Sequence, residues 1–289
     1  SASLTDYEGP KAGFTVGKLS GQGVVDGVRA ALDFNKVVPC KEKTQVVFEG
    51  FSGGALATGW AVQVQPTYAP ELNKYIRGAA FGGLPRNLTR DLIFLDGGVQ
   101  SGLVVTSIAG ESAIFPELNR FLNKHLNDAG RKAIAFARDN CLTPVLAQYP
   151  NTSFFETFTD LTRDQALANP VVRNTQAQLL LAAKGSSIPR IPLFIYHGTG
   201  DKTVPFQDTV DYYNVQCARG IKSLTRLDVN GTDHTTTDAL IQGAQARQFL
   251  LARLAGKPAP QGCSKSLYYP PAEAVQAINM RKRATLHEY

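Results

Sequence analysis

The alternation of apolar and polar positions changes character three times along the chain. Residues 45–49, Gln-Val-Val-Phe-Glu, form a short β-prone run, and the small and apolar residues 55–62 just beyond it read as a helix. Upstream, residues 1–22 are rich in Gly, Ser and Thr and read as an irregular lead-in. Val24, Val25, Val28, Ala31 and Leu32 then recur at helical spacing and predict a helix over 23–34, followed by a loop over 35–44. Past the second helix, residues 66–73 break the pattern. Residues 75–81 are short and apolar enough for a buried strand, closed by Gly82-Gly83-Leu84-Pro85.

From 86 to 187 the strand pattern fades, and 92–95, 103–108, 116–126, 131–137 and 178–183 read as short helices. A mainly helical stretch of this length between two sheet strands predicts an inserted cap over a cleft, with an ordinary helical layer as the alternative. A strand pattern returns at 191–197, followed by a Gly-rich loop to 205, a helix over 206–218, a strand over 224–229 and a loop at 230–234. A long helix over 236–254 follows, its apolar face carried by Leu240, Ile241, Ala244, Phe249 and Leu250. The tail from Pro258 is Pro-rich and predicts one helix, over 272–284. Strands alternating with helices imply an α/β fold with a mainly parallel sheet covered on both faces. The organisation expected is core over 1–85, helical cap (lid) over 86–187, core again over 188–262, and a C-terminal tail or flap over 263–289.

Composition narrows the classes. With 289 residues, 43% hydrophobic and 19% charged, the chain is globular, and one large domain with an insertion fits better than two small ones. No apolar run approaches the ~20 residues of a membrane-spanning helix, so no transmembrane segment is expected. No signal peptide stands at Ser1, so a mature or trimmed chain is expected. The net charge of +6 is scattered, with a single basic cluster at Arg281-Lys282-Arg283, and no nucleic-acid motif accompanies it; no nucleic-acid partner is expected. Cys40, Cys141, Cys217 and Cys263 form no CxxC pair, which argues against a metal site and leaves disulfides or buried thiols. Sequons at Asn87, Asn151 and Asn230 point to a secreted, extracellular chain; Asn230 adjoins a candidate catalytic loop, leaving Asn87 and Asn151 as glycosylation candidates.

Between the first strand and its helix stands Gly50-Phe51-Ser52-Gly53-Gly54, a GxSxG motif in strand–turn–helix context. Such a turn exposes a serine as nucleophile, and a serine hydroxyl needs a base and an orienting carboxylate. Later strands supply both in the expected order: Asp201 in HGTGDKTVP and His234 in the loop after Val229. His197, at a strand end, reads as a structural hydrogen-bonder, and His125 and His287 as solvated residues. Asp208 falls in a helix, Asp233 adjoins His234 too closely to orient it, and Glu49 reads as bonded in the core or near the site. Gly53 N–H, at a helix N-terminus, is one oxyanion donor. The second normally follows an early strand, and none is legible before Ser52. Losing one donor costs about 2.7–4 kcal/mol. The expectation is therefore that this is the larger piece of a longer polypeptide whose N-terminal segment is a separate cleaved chain or absent.

Residues 47–73 (VFEGFSGGALATGWAVQVQPTYAPELN), 78–85 (GAAFGGLP), 194–205 (FIYHGTGDKTVP) and the GTDH loop resemble the fungal secretory lipases, a likeness running from Asp6 to Cys263. The resemblance implies an α/β-hydrolase with a helical cap inserted between sheet strands and a C-terminal flap near an acyl tunnel. It implies Ser52, Asp201 and His234 as the triad, and hydrolysis of acylglycerols or other carboxylic esters without cofactor, possibly at a lipid–water interface. It also implies a Cys217–Cys263 disulfide and a second oxyanion residue upstream of Ser1. Cys141 matches a cysteine with an upstream partner; Cys40 has no counterpart and is an alternative partner for Cys141, so either cysteine is a candidate link to a separate N-terminal chain. Leu103, Val104 and Phe154 are the expected acyl contacts. The alternatives are a non-lipolytic carboxylesterase or acyltransferase on the same scaffold, a catalytically inactive hydrolase-like partner protein, and a serine peptidase.

Overall fold

The computed structural model describes residues 3–34, 36 and 38–285. Its centre is a sheet of five parallel strands in the order β1-β2-β3-β4-β5: β1 (Val46–Phe51), β2 (Ile76–Gly82), β3 (Leu193–Gly198), β4 (Ser223–Val229) and β5 (Gly262–Tyr268). Alternate residues face opposite sides. On one face Phe48, Ala79, Phe81, Leu193, Ile195 and Leu224 pack with residues of helices α1 (Gly17–Asp33) and α2 (Gly53–Tyr68). On the other, Ala80, Phe194, Tyr196, Leu227 and Val229 pack against Ile241, Ala246 and Leu250. Both faces are covered, which is why β2 and β3 read as continuous apolar runs.

The helix expected over 23–34 begins earlier, at Gly17. Gly17 and Gly21 lie one helical turn apart, and a Cβ on Gly21 would stand 2.6 Å from the Trp60 backbone of α2. These glycines cost helix propensity but let α1 and α2 approach backbone to backbone. Pro66 does not begin the break after α2: the helix passes it and ends at Tyr68.

Between β2 and β3 run eight helices, α3 (Leu88–Leu95), α4 (Gly102–Ile114), α5 (Pro116–His125), α6 (Asp128–Asp139), α7 (Leu142–Gln148), α8 (Phe154–Phe158), α9 (Arg163–Ala168) and α10 (Pro170–Leu179). They enclose an apolar cluster of their own, centred on Val104, Val105, Ile108, Phe154, Phe155 and Phe158. Val104 and Phe154 are therefore buried inside this layer and Leu103 packs on it.

Helix α11 (Phe206–Ala218) joins β3 to β4 as expected. The long helix expected after β4 is α12 (His234–Ile241), one π turn (Gln242–Ala246) and α13 (Arg247–Leu254). The wider turn rotates the apolar stripe, so Ala246 is buried and Ala244, expected on the apolar face, is exposed. Strand β5 is a correction: its residues are exposed almost throughout and carry no apolar period. Its backbone ladder to β4 and the Cys217–Cys263 disulfide to α11 hold it instead. Helix α14 (Ala272–Thr285) follows as expected. Among the described residues no helix is long and apolar enough to cross a membrane.

Candidate active site

The chain leaves β1 at Phe51 and turns within one residue into α2. Ser52 takes the whole of that turn at φ +57°, ψ −119°, a conformation that is costly for a residue with a Cβ. The surroundings hold it there: Ser52 N–H donates to Gly82 O at 3.0 Å, and Leu56 N–H to Ser52 O at 3.0 Å. Gly50 has no alternative, because a Cβ there would overlap the Gly54 carbonyl and stand 2.6 Å from Thr58 Oγ1. The N–H of Gly53 opens α2, where the helix dipole favours negative charge. Tyr7 Oη and the Phe14 ring lie 3.6 and 3.8 Å from where a Cβ on Gly53 would be.

Asp201 lies in the loop after β3 and is 5% exposed. Thr203 and Val204 N–H donate to its Oδ1 at 2.8 and 2.9 Å, which aims Oδ2 at His234 Nδ1, 2.6 Å away. Burial pushes this carboxyl up, but hydrogen bonds from His197 and His234, with their charges, outweigh it and hold Asp201 well below the usual carboxylate range. His234 opens α12, whose N-cap is Asp233: Thr236 N–H donates to Asp233 Oδ1 at 2.7 Å, and Lys282 of α14 pairs with it at 3.0 Å. With Nδ1 bonded to Asp201, Nε2 is the nitrogen free to take a proton. The imidazole packs on the Phe51 ring, 4.6 Å between centroids. Gly83, at φ +58°, adjoins both rings: a Cβ there would stand 2.8 Å from His234 Cε1 and 2.9 Å from Phe51 Cζ. Ser52, Asp201 and His234 thus stand at the C-terminal edges of β1, β3 and β4, where open parallel sheets place their sites.

The competing residues fall elsewhere. His197 is fully buried; Thr209 Oγ1 lies 2.6 Å from its Nδ1, and its Nε2 lies 3.2 Å from Val204 O and 3.0 Å from Asp201 Oδ2. It makes structural hydrogen bonds, as expected, and also braces Asp201, a contact with no sequence signal. His125 is not simply solvated, since its Nδ1 lies 2.9 Å from Asp160 Oδ1; His287 lies outside the described residues. Asp208 is buried in α11, accepting from Arg86 and Asn87 N–H at 2.6 and 2.5 Å and pairing with Arg90 at 2.6 Å. Glu49 is exposed, not bonded in the core; burial of part of the group and the charge of Asp238 push its carboxyl up. Asn87 is half-buried and caps α3 through its side chain, whereas Asn151 is exposed on a turn at φ +53°. Cys217 and Cys263 are bonded to each other, but Cys40 and Cys141 are both free and exposed, so the pairing considered between them is not formed.

A family model described as secretory lipase matches residues 1–262. Lipase 6 of Candida albicans is 35% identical over 268 residues, covering 90% of this chain and 57% of that protein. A secreted triacylglycerol lipase of Malassezia furfur is 32% identical over 262 residues, covering 90% of this chain and 53% of that protein. Among solved structures, Candida antarctica lipase A in its closed state superposes with a TM-score of 0.82 at 29% identity, over 93% of this chain and 63% of that one. A rice cell wall degrading esterase from Xanthomonas oryzae, at 14% identity and a TM-score of 0.62, shares the fold. The chain spans little more than half the length of the curated relatives it matches.

Proposed function

The chain belongs to the secretory lipase family, and from that premise we propose that it is a secreted carboxylic ester hydrolase working through Ser52, His234 and Asp201. Ser52 Oγ attacks the ester carbonyl carbon while its proton passes to His234 Nε2, and Asp201 Oδ2 holds the imidazole tautomer and stabilises the imidazolium. The negative charge that develops on the carbonyl oxygen is met by Gly53 N–H. Collapse of this intermediate expels the alcohol, which takes the proton from His234 and leaves an acyl-enzyme. Water, deprotonated by the same histidine, then releases the acid and restores Ser52. The substrate is an acylglycerol or other ester met at a lipid–water interface.

The observation that carries the reading is the 2.6 Å bond between Asp201 and His234 beside a serine held at φ +57°. Folding keeps a buried carboxylate and a strained backbone together at one edge of the sheet, which a packing role alone does not require. Labelling by a fluorophosphonate ester tests it. Wild type is expected to be labelled stoichiometrically at Ser52, and Ser52→Ala to remain unlabelled and lose on the order of 10⁶ in kcat on a soluble short-chain ester. An unlabelled wild type, or ester hydrolysis retained by Ser52→Ala, refutes the mechanism. Rates on emulsified long-chain against soluble short-chain esters separate a lipase from an esterase, and product partition with an added alcohol reveals acyl transfer.

A further inference from the structure

Helix α4 buries a carboxyl that hydrolysis at Ser52 does not use. Glu111 is 3% exposed. Its Oε1 lies 3.2 Å from Thr15 Oγ1, and Gln176 Nε2 of α10 donates to its Oε2 at 2.8 Å. The groups facing it are thus a hydroxyl from the N-terminal loop and an amide from α10. No ion pair to Glu111 is formed among the described residues, and Arg138 of α6 is bonded instead to Ser112 Oγ, next along the chain from Glu111. Burial accordingly pushes the Glu111 carboxyl up to about 8, against the opposing pull of those two hydrogen bonds.

The count of protons makes the same point from geometry. Thr15 Oγ1 also lies 2.6 Å from Phe14 O, and a hydroxyl has one proton to donate. An ionised Glu111 accepts only, so that proton would be claimed by both the Phe14 carbonyl and the carboxylate. With a proton on Glu111 Oε1 the chain closes: Oε1–H donates to Thr15 Oγ1, Thr15 Oγ1–H donates to Phe14 O, and Gln176 N–H donates to Oε2. Each donor then has its own acceptor.

That chain ends on a strained turn beside the nucleophile. Thr15 is at φ +65°, a conformation a β-branched residue holds only when its surroundings fix it. The Phe14 backbone lies flat on α4, so close that a Cβ on Gly110 would stand 2.6 Å from both Phe14 N and O. The Phe14 ring reaches the position of a Gly53 Cβ, and Gly17, at the end of the turn, packs on the Trp60 indole of α2. We propose that Glu111, in its proton-carrying form, is a positioning residue: through Thr15 and Phe14 it fixes the turn at 14–17 against the nucleophile's helix, and its ionisation releases that turn. The catalytic part of this inference rests on the reading of Ser52 as nucleophile.

Trp60 is the single tryptophan of the chain, so its emission reports on this contact without any assay of activity. Emission and the rate of fluorophosphonate labelling are measured together from pH 6 to 9.5. Wild type is expected to show one step in both near pH 8, with labelling falling tenfold or more above it. Glu111→Gln keeps the donor to Thr15 and the acceptor for Gln176 at every pH, so both steps vanish. Glu111→Leu also lacks the steps but is labelled more slowly throughout, and it carries the comparison if the glutamine variant does not fold. The same emission profile in wild type and either variant overturns the role of Glu111. A Glu111-dependent emission step in a protein that is never labelled overturns the hydrolase reading, and the positioning of Ser52 with it, but not the fixing of the turn.

Discussion

Replacing Gly83 by alanine tests the placement of His234, the proposed base, by adding one methyl group. Gly83 is at φ +58°, so any L side chain there first costs about 1–2 kcal/mol of backbone strain. The new Cβ then meets His234 Cε1 at 2.8 Å, Phe51 Cζ at 2.9 Å and His234 Nδ1 at 3.2 Å. Carbon atoms pack at about 3.5 Å or more, so the imidazole must withdraw by roughly 0.7 Å. Nδ1, one of the two ring atoms the methyl meets, carries the 2.6 Å bond to Asp201, and the withdrawal tilts or stretches that bond. Misplacement on the order of 1 Å costs on the order of 10²-fold in rate. Gly220→Ala separates the two costs: Gly220 is at φ +79° with nothing within 4 Å of its Cβ position, so it suffers the strain without the collision. Both variants are expected to melt several degrees lower, at about 2–4 °C per kcal/mol for a chain of this size. The Gly83 variant alone should lose about 10²-fold in kcat/KM on a soluble ester and in fluorophosphonate labelling. Activity of Gly83→Ala within threefold of Gly220→Ala would refute the placement of His234 against this turn.

Three further outcomes follow from the same geometry. The Cys217–Cys263 disulfide closes a 46-residue separation, so replacing both cysteines by serine should destabilise by about 4 kcal/mol on the chain-entropy estimate. Urea denaturation measures it, and a loss below 1 kcal/mol would show that the ladder of β5 to β4 suffices. Asp201 is held below its ordinary value by its two histidines, so its contribution to stability is complete above about pH 4 and is lost as pH falls further, where the unfolded chain binds the extra proton. Stability measured from pH 5 to pH 2 should therefore fall more steeply for wild type than for Asp201→Asn, and parallel slopes would refute this. Asp233→Ala removes the N-cap of α12 and should cost about 1 kcal/mol, to which the exposed pair with Lys282 adds little. An unchanged melting temperature would count against that cap.

Much of this was legible because it is local. The elbow is a strand, five residues rich in glycine and a helix in succession, and Gly50 is needed for a contact only four residues away. Asp201 was legible because it follows a strand buried throughout, and His234 because it follows a β-prone run whose Leu224, Leu227 and Val229 are buried; parallel strands end at one edge. The resemblance to the family added the disulfide. What escaped was set by contacts between distant segments. Strand β5 buries almost nothing, so it has no apolar period to read. The π turn between α12 and α13 moved burial from Ala244 to Ala246, and the lone Gly243 inside it does not by itself announce a change of helical period. Val104 and Phe154 are buried in the helical layer's own cluster and Leu103 packs on it, and apolarity along the chain does not distinguish a cap's core from a wall of its cleft.

The sequence by itself determined the alternating α/β order, the sharp turn at Ser52 and the loops after later strands that carry Asp201 and His234, since these depend on periodicity and on neighbours along the chain. Only the tertiary structure decided which atoms meet: His197 bracing Asp201, Gly83 bounding His234, and Glu111 linking the helical layer to the turn beside Gly53. The reason is physical. A hydrogen bond or a methyl-sized gap is fixed to a few tenths of an ångström by segments up to about 150 residues apart, as Gly83 and His234 are, and no local pattern along the chain carries that distance.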